Sequence, residues 1–397
     1  MWVRAEACFF FLSCTFYYFN KFFGLAPFTY NSRAKKYFTS SPSVAYCSFL
    51  FIGTILFIPS IVYLYVISIA KNMNSLALYV GISQLIVQCS SSALIQCAAV
   101  SKAAKSVAYF NAKDTFREEI NKMGLRMKEK FYFLGMIITA NVLTVSKILL
   151  TFAFIVIFTH GEEFIVTFHL IIYIIPYGAS TLIGCNFITE IISLRYFAVQ
   201  INNQLRNSLN TVCDLPEGAS KARRMATACQ VSDQVDKLMI LHSELMAIVA
   251  KFNDIETFIL LLYYTNKFVE LIMPIFFEYL MLNGIKLYTS NTPIMITGFV
   301  TSIVGLTEVT LTVACCKKLI DEMAIAGKIL HNCSVYRIDE RLKGSITDFS
   351  LQILHERSPF TVCGMFNVDH TLLYSMISSM TSYVILLVQF YTEGVGT

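Results

Sequence analysis

The last apolar run of the chain, residues 371–391, carries polar side chains at regular spacing. Ser375, Ser382 and Gln389 are seven residues apart in turn, and Ser378 lies between the first two. In a helix this spacing places all four on one face. Polar groups inside a membrane are costly unless they meet a partner or water. The stripe therefore predicts either a helix–helix seam, for which small and amide side chains are typical, or the wall of a water-filled pore.

The composition defines the broad class of the protein. Of the 397 residues, 56% are hydrophobic and only 14% are charged, whereas a soluble domain carries about 25% charged residues. Several apolar runs are long enough to cross a bilayer as helices, and barrel strands would alternate instead. We predict an all-α membrane protein with seven transmembrane helices, at about 44–70, 76–100, 131–159, 164–195, 257–282, 293–315 and 370–391.

Lys and Arg are unevenly distributed between the connections. The N-terminal segment and the three long connections carry nearly all of them, and the short connections carry almost none. This bias predicts a cytoplasmic N-terminus, cytoplasmic long connections and an extracellular C-terminus. The orientation is opposite to that of a G-protein-coupled receptor. The same bias accounts for the net charge of +5, so no nucleic-acid partner is expected.

Motifs for catalysis and cofactor binding are missing from the sequence. The six histidines form no HxxxH or HExxH pair, and neither GxSxG nor a phosphate-binding GxxxxGK[ST] occurs. These absences argue against a metalloprotease, a serine hydrolase and a nucleotide-binding enzyme. We expect no enzyme activity, no cofactor and no metal site.

Ionisable side chains within predicted spans are functional candidates, because burying them in a membrane is costly. The alternative is mutual pairing that fixes helix packing. Lys267 and Glu270 are three residues apart and can pair on one helical face. Glu190 and Glu308 lie toward the cytoplasmic ends of their spans, where we expect solvation or pairing with basic residues of the connections. The others are Lys147 and Glu278.

Two sequence blocks resemble the signature of the insect gustatory receptor family. One is a Gly-x-Phe stretch around Gly364, followed by Ser382-Tyr383, five hydrophobic residues and Gln389-Phe390. The other is the N-terminal block 20–28. Ser382 stands where the family usually has Thr. Val384 stands where the sugar-receptor branch tends to carry Glu, which argues against a disaccharide-type sugar receptor and leaves the ligand branch unassigned.

The resemblance implies a taste receptor that acts as a ligand-gated, non-selective cation channel. Four identical or related subunits would surround a central pore in the plasma membrane of chemosensory neurons. Small-molecule tastants and membrane lipid would be the partners. The last span would line the pore, which favours the pore wall over the seam. Its predicted residues are Gln389 at the narrow outer part, Phe390 behind it, Ser382 and Ser378 along the wall, with Tyr383 and Gly364 in structural roles.

A gate can be placed on the same face. Leu386 lies one helical turn before Gln389, and a ring of apolar side chains can close a pore by dewetting. Leu386 or its neighbour Ile385 is therefore the predicted gate. The alternative for both residues is lipid contact or packing.

A ligand pocket is expected in the outer halves of the first six spans. Pockets combine apolar walls with a few polar anchors, and ordinary packing is the alternative for each candidate. His169 and Glu278 are the preferred anchors. The full candidate set is His169, Tyr173, Tyr177, Glu278 and Thr301.

Three segments follow from this organisation. We expect residues 1–43 to form a cytoplasmic N-terminal segment with an interfacial helix. Residues 44–338 would form the six-helix ligand-sensing region, in which the fourth and fifth spans continue as cytoplasmic helical extensions. Residues 339–397 would form a cytoplasmic assembly helix and the pore-lining span. Two other functions remain open. One is a seven-span receptor that signals through a cytoplasmic partner, which requires the opposite topology or an unusual partner. The other is a secondary transporter, which would show saturable uptake.

Overall fold

A computed structural model of the chain describes residues 15–69, 75–122, 130–158, 164–216, 218–283, 291–332, 339–356 and 360–395. After a helical run at 15–22, long helices dominate these ranges. They are α1 (Ser41–Leu64), α2 (Ser75–Ser101), α3 (Ala103–Lys122), α4 (Lys130–Phe158), α5 (Phe164–Cys213), α6 (Lys221–Leu282), α7 (Asn291–His331), α8 (Glu340–His355) and α9 (His370–Val395).

Each predicted span falls largely within one of these helices, namely α1, α2, α4, α5, α6, α7 and α9. Six of them are long and apolar enough to cross a membrane by composition. The seventh is α6, whose apolar half contains Asn266, Lys267 and Glu270. The prediction of an all-α membrane protein with seven spanning helices is confirmed.

Three of the spanning helices continue far beyond their predicted spans. α5 runs on to Cys213, α6 begins at Lys221, and α7 runs on to His331. Extensions of the fourth and fifth spans were predicted, whereas that of the sixth was not. The extensions pack around a continuous apolar core that contains Leu205, Val235, Leu238, Leu319 and Phe349. They form a helical bundle at the end of the molecule that carries the long, basic connections.

The amphipathic stretch before the last span forms α8. The Asp339 carboxylate caps it by accepting hydrogen bonds from the backbone N–H groups of Arg341 (2.8 Å) and Leu342 (3.4 Å), as N-cap residues do. Leu342, Ile346 and Phe349 are buried at helical spacing. This apolar face joins α8 to the bundle of extensions, where α6 and α7 contact it.

Two small hairpins, which the sequence pattern did not predict, supplement the helices. β1 (Phe28–Asn31) pairs with β2 (Lys36–Thr39), and β3 (Thr361–Val362) with β4 (Phe366–Asn367). The second hairpin turns through Cys363 and Gly364, whose φ angles are 51° and 69°. Such positive φ values favour glycine, which explains Gly364.

The β3–β4 hairpin fixes the start of the last helix to α6. The Thr361 N–H donates to the Asn253 side chain at 3.2 Å, and the Thr257 hydroxyl donates to the Thr361 carbonyl at 3.0 Å. The Cys363 N–H in turn donates to the Thr257 hydroxyl. Two residues one turn apart on α6 thus extend the hydrogen bonding of the hairpin immediately before α9.

Candidate functional site

The last helix packs against the rest of the chain with only one of its faces. Met376 and Met380 are its buried apolar residues. Met380 packs against Leu271 and Ile272 of α6, and the Tyr391 ring lies 6.2 Å from the ring of Phe276. The remaining faces of α9 have no cover from the described part of the chain.

The polar stripe lies on an uncovered face. The side chains of Ser375, Ser378, Ser382 and Gln389 are exposed. At 3.6 residues per turn, this stripe points roughly opposite to Met376 and Met380. The stripe is therefore not a seam between α9 and another described helix of the same chain.

The predicted gate and motif residues occupy neighbouring positions of the same helix. Leu386 is 44% exposed and Ile385 is 52% exposed, so both are available to a pore or to another subunit. The Tyr383 ring contacts the ring of Phe268 on α6 at 5.8 Å, whereas Phe390 is exposed. The structure brings Leu386, Ser382, Ser378 and Gln389 to one uncovered side of α9.

A buried ionic cluster lies inside the spanning bundle. Lys147 of α4 pairs with Glu270 of α6 at 2.5 Å and with Glu308 of α7 at 3.5 Å. Lys267 of α6 pairs with Glu308 at 2.7 Å and with Glu270 at 3.1 Å. We call these four residues the charged quartet. Each of the two cations pairs with both of the two anions, so the quartet is neutral as a unit.

Neighbouring residues on α5 and α6 lie against the quartet. The Tyr263 hydroxyl donates to Glu308 Oε1 at 3.2 Å, and the Lys147 ammonium lies 5.8 Å from the ring centre of Tyr177 on α5. A Cβ atom on Gly184 would lie 2.1 Å from Glu308 Oε1. Glycine at this position therefore allows α5 to approach the carboxylate closely. Through these contacts the quartet joins α4, α5, α6 and α7.

The expectation for Glu308 was wrong, whereas those for the Lys267–Glu270 pair and for Glu190 are confirmed. Glu308 is neither solvated nor paired with a connection, because Gly184 leaves space for it between the helices. Lys267 and Glu270 do pair locally. Glu190 pairs with Lys113 of the basic connection at 2.5 Å.

Helix register places the predicted ligand residues relative to the quartet. We call the end of the bundle with the short connections, at 70–74, 159–163 and 284–290, the outer end. α5 and α7 run in the same direction, since Gly184 adjoins Glu308 and Asn202 bonds to Glu322 further along. Tyr177 is therefore level with Thr301, each seven residues nearer the outer end, which is roughly 10 Å.

The other candidates occupy the same outer layer. The Tyr173 and Tyr177 rings are 6.2 Å apart. Glu278 of α6 adjoins Gly298 of α7, where a Cβ would lie 3.0 Å from its Oε1. Tyr173, Tyr177, Glu278 and Thr301 thus all lie on the outer side of the quartet. The side chain of His169 is outside the described residues.

Comparison with known protein families shows which family the chain belongs to. The sequence profile of the family described as 7tm chemosensory receptor matches residues 13–393. The chain belongs to this family. The receptor is 22% identical over 175 residues to the gustatory receptor for bitter taste 93a of Drosophila melanogaster, which is 44% of this chain and 40% of that one. It is 38% identical over 64 residues to the gustatory receptor for bitter taste 66a of the same organism, 16% and 12% of the two chains. These matches span less than half the length of either relative.

Solved structures resemble the receptor over almost its whole length. The insect olfactory receptor OR5 from Machilis hrabei, in complex with eugenol, superposes with a TM-score of 0.63 over 95% of this chain and 97% of that chain, at 11% identity. A second structure of OR5 superposes with a TM-score of 0.61 over 97% of this chain and 99% of that chain, at 10% identity. At such low identity the likeness concerns the fold.

The charged quartet is the feature that sequence reasoning did not assemble. Its four residues were recognised as intramembrane charges, but only Lys267 with Glu270 was proposed as a pair. These spans contain two lysines and three glutamates, which was a signal for pairing but did not indicate which glutamate remains unpaired. Their depths could not be compared without the register of α4, α6 and α7, which depends on close approaches such as Gly184.

Proposed function

We propose that the receptor is a ligand-gated, non-selective cation channel for taste, with the last span of each subunit lining the pore. The observation that carries the proposal is the position of the polar stripe of α9, which faces away from the helices of its own chain. In a bilayer, exposed serine and glutamine side chains need water or polar partners. Several copies of α9 around a common axis would give them both.

A single chain has too little polar surface to enclose a pore, so the proposal requires an oligomer. A homo- or heterotetramer would direct the stripe inward and place Gln389 near its outer mouth. Leu386 follows one turn further in, on the same face, where a ring of its side chains would close the pore by dewetting. The exposed faces beside the stripe would contact neighbouring subunits and lipid.

A small-molecule tastant would bind in the outer layer, among Tyr173, Tyr177, Glu278 and Thr301. OR5, whose fold the receptor shares, was solved with eugenol, and 93a is a receptor for bitter taste. The charged quartet lies between this layer and the bundle of extensions. On its other side, the same part of α6 contacts α9 through Phe268, Leu271 and Ile272.

Whole-cell recording tests the channel function. With G-protein signalling blocked in the pipette, a panel of bitter compounds should evoke a current that carries both Na⁺ and K⁺. Gln389→Ala should change conductance or ion preference, whereas Thr381→Ala, an exposed hydroxyl off the stripe, should not. Saturable uptake without single-channel steps would instead identify a transporter. Loss of the current when G proteins are blocked would identify signalling through a partner.

The proposed orientation has a separate test. The distribution of Lys and Arg predicts a cytoplasmic N-terminus and an extracellular C-terminus. An epitope tag at the C-terminus should bind antibody on intact cells, and the same tag at the N-terminus should require permeabilisation. The reverse labelling pattern would contradict the proposal and would indicate the topology of a G-protein-coupled receptor.

A further inference from the structure

Glu278 differs from the other ionisable side chains of the spanning helices. Its Oε1 is buried and has no hydrogen-bond partner in the part of the chain that the structure describes. The side chain as a whole is half-buried, and the backbone at Gly298 covers one side of the carboxylate. A buried carboxylate oxygen without a donor is costly, so the site is incomplete as it stands.

The two lysines inside the spanning bundle are already paired with other carboxylates. Lys147 and Lys267 are both paired within the quartet, with Glu270 and Glu308. Within the described residues, Glu278 is the one Lys, Arg, Asp or Glu side chain of the predicted spans for which no ion pair is found. The Thr301 hydroxyl does not supply a donor either, because it bonds to the carbonyls of Thr297 and Gly298 on its own helix at 2.9 Å each.

We propose that Glu278 binds the protonated or quaternary ammonium group of a ligand. The inference rests on the proposed function and specifies the ligand class as an organic cation with an apolar or aromatic body. Such a cation would supply the missing positive charge. Tyr173 lies in the same outer layer and suits a cation with an apolar body, since ammonium groups are attracted to aromatic faces; the Tyr177 ring already faces the Lys147 ammonium. Uncharged sugars cannot replace this charge.

Binding to purified receptor tests the site without requiring a current. The probes are permanent cations of increasing size, namely tetramethylammonium, choline and denatonium, with caffeine as the neutral control. The thermal stability of the detergent-solubilised, lipid-free receptor is measured against probe concentration. We expect at least one cation to stabilise the wild type. Glu278→Gln should raise the half-saturating concentration of that cation by about tenfold or more, as expected for loss of a charged partner.

Matched variants separate the charge from the fold. Glu278→Asp keeps the charge and should retain most of the cation effect. Glu393→Gln removes an exposed carboxylate near the outer end of α9 and should leave the effect unchanged. Equal stabilisation of wild type and Glu278→Gln, or no stabilisation by any cation in the series, would overturn the inference. If phosphatidylcholine nanodiscs abolish stabilisation that is seen in detergent, the ammonium group bound in membranes is that of a lipid headgroup.

Recording distinguishes this inference from the proposed function. Cation binding that depends on Glu278, with no evoked current from any compound, would support the site and contradict the channel. Caffeine-evoked current together with no Glu278-dependent cation binding would support the channel and contradict the site.

Discussion

At the scale of residues, the charged quartet explains how four ionisable side chains are accommodated among spanning helices. Lys147 and Lys267 are both 1% exposed, and each contacts two carboxylates. A buried pair adds little stability compared with an apolar replacement of both partners, yet removing one partner leaves an uncompensated charge. The quartet should therefore tolerate joint changes better than single ones.

Removal of one quartet cation should be strongly destabilising. Lys147→Met leaves Glu270 and Glu308 with one cation between them, and we expect a loss of about 3–5 kcal/mol. Lys105→Met is the matched control, because Lys105 pairs with Asp254 at 2.7 Å on the surface, where pairs contribute about 0–1 kcal/mol. Fluorescence-detected thermal melting of both variants in detergent makes the comparison. Equal melting temperatures would show that the quartet does not stabilise the fold.

A glycine substitution tests the close approach of α5 to the quartet. Gly184→Ala would place a methyl group 2.1 Å from Glu308 Oε1 and 2.8 Å from the Tyr263 hydroxyl. We expect a marked loss of folded receptor on size-exclusion chromatography. Gly135→Ala on α4 meets no atom within 4 Å, and alanine in a helix gains roughly 0.5–1 kcal/mol over glycine. If both variants fold equally well, the packing around Glu308 is looser than described.

At the scale of elements, His242 contributes to the docking of α8 on α6 and α7. Its ring nitrogens lie 3.2 Å from a Glu356 carboxylate oxygen and 3.3 Å from the Met323 carbonyl. Burial lowers the pKa of His242 below its usual 6.5, and these two acceptors oppose that effect only in part. The neutral imidazole is therefore favoured by folding.

The sign of the pH effect follows from this lowered pKa. Since the unfolded state binds the proton more tightly, stability is fully present above about pH 6.5 and falls as the pH decreases toward the folded-state pKa. We expect the melting temperature to fall more between pH 7.5 and pH 5.5 in the wild type than in His242→Gln. An equal fall in both proteins would mean that His242 does not titrate in this way.

The elements differ in how far sequence alone could define them. The spans follow from apolar length, and the helix after residue 339 was expected from the sequence, but its cap by Asp339 is seen only in the structure. The continuation of α7 to His331 was missed because the charged residues after Cys316 resembled those of a connection. The hairpin at Thr361–Asn367 was missed because two-residue strands have no pattern of their own. It depends on Asn253 and Thr257, which lie more than a hundred residues earlier.

At the scale of the whole molecule, the proposed pore depends on contacts between several copies of the chain. Sequence spacing predicted the polar face of α9 correctly, because that face depends only on helical geometry. Whether the face meets a seam or water depends on contacts with other copies, and no pattern within one chain encodes these. The structure adds that the stripe and the packed face of Met376 and Met380 are on opposite sides.

The proposed channel also assigns separate tasks along α6. Its extension holds α8 and the β3–β4 hairpin, its middle belongs to the charged quartet, and its outer part carries Glu278. One turn of α6, residues 267–272, contributes to the quartet on one face and contacts α9 on another. Movements of the outer layer would therefore reach the last span through one helix, in which Pro274 lies between Glu278 and this turn.

Cysteine accessibility in the last span is the most direct test of the central claim. Gln389→Cys lies on the polar stripe and Met380→Cys on the face packed against α6. A charged methanethiosulfonate reagent would be applied outside during ligand-evoked current, with the wild type as a control for its own exposed cysteines, Cys97, Cys213 and Cys363. We predict that the reagent blocks Gln389→Cys channels and leaves Met380→Cys and wild-type currents unchanged. A current through Gln389→Cys channels that the reagent does not alter, despite labelling of the cysteine, would contradict a pore lined by this helix.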